Sequence, residues 1–169
     1  MTKGDEWMNV IDNPVLVRGI VIAALGVAVG LVLSIGVGLS LWRWKMMAGL
    51  IGEHKPEAFA EPKEELLPAL LMGITPISKV FYAFVAVTVL SQRNLADSEL
   101  SIAATFAGGA FALVAVVQGA LAAKLINTPT AKEGLFGTFR FKMAMLGSIE
   151  TLAVFVLVGI MVFTARFSA

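Results

Sequence analysis

Two ionisable side chains stand alone in apolar surroundings. Glu150 lies in a run from Met143 to Ala165 with no other charge, and Lys79 in a run from Leu66 to Gln92 with no other charge. A charge at mid-bilayer costs roughly 2.5–3.5 kcal/mol on insertion scales, so charges kept there mark ion and proton pathways or bind one another. A carboxylate held in hydrocarbon needs a counter-charge or strong donors; otherwise it takes up a proton. Either way, Glu150 is a group on which a proton or small cation can be loaded and unloaded. The competing reading is a fixed Lys79–Glu150 ion pair that staples helices together.

Other groups near mid-span bear on that chemistry. Pro76 has no N–H for the carbonyl four residues back, which frees carbonyl oxygens inside the membrane. Freed carbonyls, with the hydroxyls of Thr75 and Ser78, are hard oxygen ligands of the kind an alkali cation prefers. Tyr82 follows Ser78 by four residues and so shares its helix face. Gln118 is the only amide between Leu100 and Ala123. Its carbonyl can bind a cation and its NH2 can donate to Glu150. Taken singly, Pro76 also reads as a plain kink and Gln118 as an interhelical hydrogen bond.

The elements that must position these groups are helices. The 169 residues are 58% hydrophobic, with a mean hydropathy of +0.86, too apolar for an ordinary soluble domain. Four stretches reach the ~20 apolar residues that a spanning helix needs: Gly19–Trp42, Leu66–Gln92, Leu100–Ala123 and Met143–Ala165. The expected class is an all-α membrane protein. An N-terminal segment 1–17 precedes a first helical hairpin, 18–92, with helices at about 18–42 and 66–92 and a loop at 43–65. A turn at 93–99 leads to a second hairpin, 100–169, with helices at about 100–126 and 139–165. No soluble catalytic domain fits in what remains. With no Cys and a single His54, cysteine and histidine metal clusters are excluded, and no nucleic-acid partner is expected. Asp5, Glu6 and Asp12 before the first apolar run argue against a cleaved signal peptide.

Loops 43–65 and 124–142 carry eight Lys and Arg residues (Arg43, Lys45, Lys55, Lys63, Lys124, Lys132, Arg140, Lys142), against four (Lys3, Arg18, Arg93, Arg166) on the other side. That asymmetry places both loops in the cytoplasm and both termini outside it. Trp42 and Trp44 read as interfacial anchors, Asn13-Pro14 as a helix start, and Asn127-Thr128-Pro129 as a helix end. Pro56, Pro62 and Pro68 are expected to break the first loop into short pieces.

The two halves look alike. A small-residue stripe runs through Gly19, Ala23, Gly26, Gly30, Ser34 and Gly38 in the first helix, and through Ala104, Gly108, Ala112, Ala115, Gly119 and Ala122 in the third. Steps of three and four residues keep each stripe on one face, where backbones can approach closely. The second and fourth helices are bulkier. Thin helices suit the inside of a tight ring and bulky ones its outside; a simple four-helix bundle is the alternative.

On these residues the chain resembles subunit K, the duplicated c-type rotor subunit of V-type (V/A-type) ATPases. The resemblance covers about residues 19–166. It rests on Gly147-Ser148-Ile149-Glu150-Thr151-Leu152-Ala153-Val154-Phe155, on Gln118-Gly119, on Pro76, Ser78 and Tyr82 in register, and on Lys55-Pro56-Glu57-Ala58-Phe59. Segment 1–17 and region 60–68 look like additions. The family implies a homo-oligomeric rotor ring of identical chains, each with one ion-binding glutamate, here Glu150. The ion is H+ or Na+, the latter implying ligands from Glu150, Gln118, Ser78 and Thr75. It also implies a stator membrane subunit supplying an arginine, central stalk subunits at the cytoplasmic loops, and ATP synthesis or hydrolysis elsewhere in the complex. This chain would make no bond itself. Sodium-binding members have Gln where this chain has Lys79, which leaves three readings: a proton carrier tuned by Lys79, a sodium site from which Lys79 swings away, or a locked pair. From a different class comes a non-rotary four-helix protein, an accessory subunit or a small proton-coupled transporter, with a structural Lys79–Glu150 pair.

Overall fold

The computed structural model describes residues 12–49, 62–93, 95–130 and 138–165. These are all helical or connecting, with no strand among them. In chain order the elements are α1 (Pro14–Leu31), a π-helical stretch (Val32–Leu39), α2 (Ser40–Met47), α3 (Pro62–Gly73), a 3₁₀ turn (Thr75–Ile77), α4 (Ser78–Ser91), α5 (Asp97–Ile126) and α6 (Phe139–Ala165). Four stretches are long and apolar enough to cross a membrane: Pro14–Met47, Leu66–Ser91, Asp97–Ile126 and Phe139–Ala165. We call them spans one to four.

Local chemistry explains most boundaries. Asn13 caps α1 by accepting from the backbone N–H of Val15 at 3.0 Å, and Pro14 then opens the helix. Glu99 reaches back to the backbone N–H of Ala96 at 3.2 Å, tying the start of α5. Span one runs on past Trp42, where the sequence pattern ends it, because Trp42–Met47 contains no helix breaker. Pro62 opens α3, and the helix continues through Pro68 rather than stopping there. The segments 1–11, 50–61, 131–137 and 166–169, with the loop pattern Lys55–Phe59 and His54, lie outside the described residues.

The described residues fall into two compact units. One lies within Met1–Ala28, Ile77–Ala115 and Thr151–Ala169, the other within Val29–Pro76 and Val116–Glu150. Every span contributes residues to both. The first unit has a core of small side chains, including Ala23, Ala83, Ala86, Ala104, Ala107 and Ala153, around Phe111, Leu16 and Leu90. The second has Ala69, Met72, Ala122, Leu125, Ile126 and Leu146. Large apolar side chains point outward instead: Leu25, Phe81, Ile102, Phe106 and Phe155 are each more than 60% exposed. An exterior this apolar is what a lipid solvent selects and water does not.

The two small-residue stripes meet within each unit. In the first, a Cβ on Gly19 would sit 2.6 Å from the Ala104 carbonyl oxygen, and one on Gly26 would overlap the Ala112 backbone. In the second, a Cβ on Gly119 would overlap the Gly30 backbone, and one on Gly38 would lie 3.0 Å from the Ala123 Cα. Hydrogen at these positions is what allows the two backbones to touch.

Candidate functional site

Glu150 lies in α6 with half-buried side-chain surroundings. Gln118, on α5, is fully buried. Its Nε2 donates to Glu150 Oε1 at 3.3 Å and to the Leu146 carbonyl at 3.3 Å. The two acceptors are four residues apart, one helical turn, so a single NH2 can serve both. The Leu146 carbonyl can only accept, which fixes the amide with its NH2 on that side. Gln118 Oε1 is then buried with no hydrogen-bond partner. A buried acceptor left open beside a carboxyl group is costly unless a cation or a proton donor visits it. Around Glu150, the α6 residues Gly147, Ser148, Thr151 and Leu152 are exposed, and nothing lies within 4 Å of where a Cβ on Gly147 would be. The carboxyl is therefore half-buried, held by Gln118 at Oε1 and buried at Oε2, on a helix whose neighbouring residues are exposed.

Thr75 belongs to the same unit, but its hydroxyl faces its own backbone. Thr75 Oγ1 donates to the Met72 carbonyl at 2.8 Å, the one that Pro76 has no N–H to reach. The adjacent Gly73 carbonyl receives the hydroxyl of Ser34, at 2.7 Å. Ser34 is fully buried and also lies 3.0 Å from the Gly30 carbonyl; with one proton, it donates to one acceptor at a time. The carbonyls expected to stand open beside Pro76 each hold a hydroxyl in this arrangement. Ser34 lies within the π-helical stretch, where the i→i−4 ladder is already loosened. The small-residue stripe contained Ser34 but carried no sign of this bond.

Ser78, Lys79 and Tyr82 gather in the first unit instead. Lys79 is fully buried, and its Nζ donates to Ser78 Oγ at 2.8 Å. The same Nζ lies 5.8 Å from the centre of the Tyr82 ring, within reach of a cation–π attraction. Tyr82 stacks on Phe111 at 6.1 Å and 17°. Lys79 and Ser78 fall in the first unit, and Glu150, Gln118 and Thr75 in the second.

No family model matches the chain, and no curated protein or solved structure does either.

No group of three or more His, Cys, Asp or Glu side chains that could hold a metal occurs among the described residues. A groove of about 620 Å³ in the first unit is lined by Ile102, Phe106, Val156 and Phe163, with Glu99 its one charged member. None of the candidate site residues lines it, and apart from Glu99 its walls are apolar.

Sequence reasoning also missed two lysine contacts at the end of α5. Lys142 belongs to α6 and is almost wholly buried rather than a free loop charge. Its Nζ donates to the Thr128 carbonyl and, at 2.8 Å, to Thr130 Oγ1. Lys45 Nζ donates to the Asn127 carbonyl at 3.2 Å. The signal available in the sequence was the α5 end at Asn127-Thr128-Pro129, whose last carbonyls attract cations.

Proposed function

We propose that the chain is a membrane rotor subunit of a V/A-type rotary ATPase, carrying H+ or Na+ across the cell membrane on Glu150. The observation that carries this reading is the Gln118–Glu150 contact within apolar spans. A carboxyl group with one amide donor, one open amide oxygen beside it and exposed small neighbours is suited to being charged and discharged. In this reading the spans form two tandem helical hairpins, with the connecting loops cytoplasmic and both termini outside. Identical copies close into a ring. Glu150 is loaded and neutral where it faces lipid, and gives up its ion where a stator subunit supplies an arginine. Central stalk subunits at the cytoplasmic loops couple rotation to ATP synthesis or hydrolysis by the rest of the complex. The meeting of the small stripes of spans one and three supports this, since it leaves the bulky spans for the outside.

The ion in this reading is the proton. Lys79, whose ammonium donates to Ser78 Oγ, stands where sodium-binding members carry Gln. The test is Glu150→Gln in the assembled complex. Ion-coupled ATP turnover should be lost, while the chains still assemble into a stable oligomer. Coupling that survives Glu150→Gln overturns the rotor reading in favour of a non-rotary four-helix protein.

A further inference from the structure

We propose that the second unit carries a binding site for anionic phospholipid headgroups at the exit of α5. The inference rests on the reading that the four spans cross a bilayer. It does not depend on rotation.

Two consecutive carbonyls follow the last turn of α5, and each receives a lysine. Asn127 O accepts from Lys45 of α2 at 3.2 Å, and Thr128 O accepts from Lys142 of α6. Asn127 Nδ2 donates to the carbonyls of Gly38 and Ala123, each at 2.9 Å. Three helices are thereby tied at one level by hydrogen bonds. Each brings a further cation that is exposed: Arg43, two residues before Lys45; Lys124, three before Asn127; and Arg140, two before Lys142. No carboxylate occurs in 38–49, 116–130 or 138–149.

The flank of this basic cluster is apolar and uncovered. Trp44, Met47 and Leu41 are 57%, 72% and 47% exposed. Cations next to exposed Trp and aliphatic side chains match the boundary where phosphates meet acyl chains. A soluble acidic partner would match the charges but not the apolar flank. Lys45 and Lys142 hold the helix ends in place, so the outward cations are positioned before any lipid arrives.

The experiment uses the full chain in nanodiscs of phosphatidylcholine containing a small fraction of phosphatidylglycerol. The measurement is the phosphatidylglycerol retained per chain on extraction. Juxtamembrane cations attract anionic lipid by about fivefold each. Removing Arg43, Lys124 and Arg140 together by substitution with Gln should therefore lower the enrichment by about 100-fold. Arg18→Gln with Arg93→Gln, which removes cations from the first unit, should leave it unchanged. Enrichment should also fall steeply with added salt. No preference for phosphatidylglycerol, or an equal loss in the Arg18/Arg93 control, overturns the site. If the triple variant does not fold, retention by the unaltered chain that ignores salt overturns it. Insertion into pure phosphatidylcholine is read in parallel. Failure there defeats the membrane reading, whereas insertion without enrichment defeats only the headgroup site.

Discussion

The two compact units are built from the same four spans, yet they handle polarity in opposite ways. In the first, helices are regular, half of the core residues are alanine, Ser78, Lys79 and Tyr82 cluster at the start of α4, and the hydroxyls of Thr88 and Thr164 bond back to carbonyls of their own helices. In the second, span one loosens into a π-helical stretch and span two into a 3₁₀ turn. Hydrogen bonds there cross between spans: Ser34 to Gly73, Gln118 to Leu146 and Glu150, Asn127 to Gly38. Within lipid, an irregular backbone persists only where other groups take up its carbonyls. The unit holding Glu150 is thus the one in which side-chain-to-backbone bonds join the spans. Close contact of small residues is common to both units.

Three sets of substitutions can break or sharpen that contrast. The largest effect is expected where backbones touch. Gly119→Val forces a side chain into the Gly30 backbone and should destabilise the fold by about 1–3 kcal/mol, as overpacking does. Gly159→Val, where nothing lies within 4 Å of the added Cβ, should cost far less. Thermal unfolding in detergent compares the two, and equal costs would contradict the packing described.

A smaller effect is expected from the interspan hydroxyl. Ser34→Ala leaves the Gly73 carbonyl without its donor and should cost about 1 kcal/mol, in keeping with side-chain hydrogen bonds inside membranes. Its counterpart in the first unit is Tyr82→Leu, which removes the stack on Phe111 and should cost about 0.5–1.5 kcal/mol. Tyr82→Phe keeps the stack and should cost little. If Ser34→Ala is silent while Gly119→Val is not, the second unit is held by packing alone and the contrast fails.

The smallest effect on stability, with the clearest effect on chemistry, belongs to Gln118→Leu. It removes both the donor to Glu150 and the open acceptor. The fold should lose about 1 kcal/mol or less. The rate at which a hydrophobic carbodiimide modifies Glu150 should change at fixed pH, because the charged and neutral forms lose different partners. An unchanged rate would mean that Gln118 only braces α5 against α6.

Much of this was legible in the residues themselves. The four spans follow from hydropathy and length, the α1 start from Asn13-Pro14, and the α5 end from Asn127-Thr128-Pro129. The donation from Gln118 to Glu150 follows from their being, respectively, the one amide and the one carboxyl of their spans. The stripes of spans one and three read as close-contact faces because their spacing is helical. What escaped depends on contacts between residues distant in sequence. A serine in a stripe of small residues reads as packing until the Gly73 carbonyl is seen opposite it. Pro76 signals a freed Met72 carbonyl, but whether Thr75 turns back to it is a rotamer choice. Lys142, beside a loop, reads as solvated, since lysine is rarely buried without partners; only the position of the α5 carbonyls explains its burial.

The most direct test of Glu150 as the ion-loading group is its modification by a hydrophobic carbodiimide in the membrane-embedded chain, followed across pH with and without Na+. The reagent needs a protonated carboxyl in a lipid-accessible place. We expect labelling at Glu150 alone, falling as pH rises and indifferent to Na+. Absence of label at Glu150 at any pH would contradict a carboxyl that charges and discharges facing lipid, and protection by Na+ would contradict the proton as the carried ion.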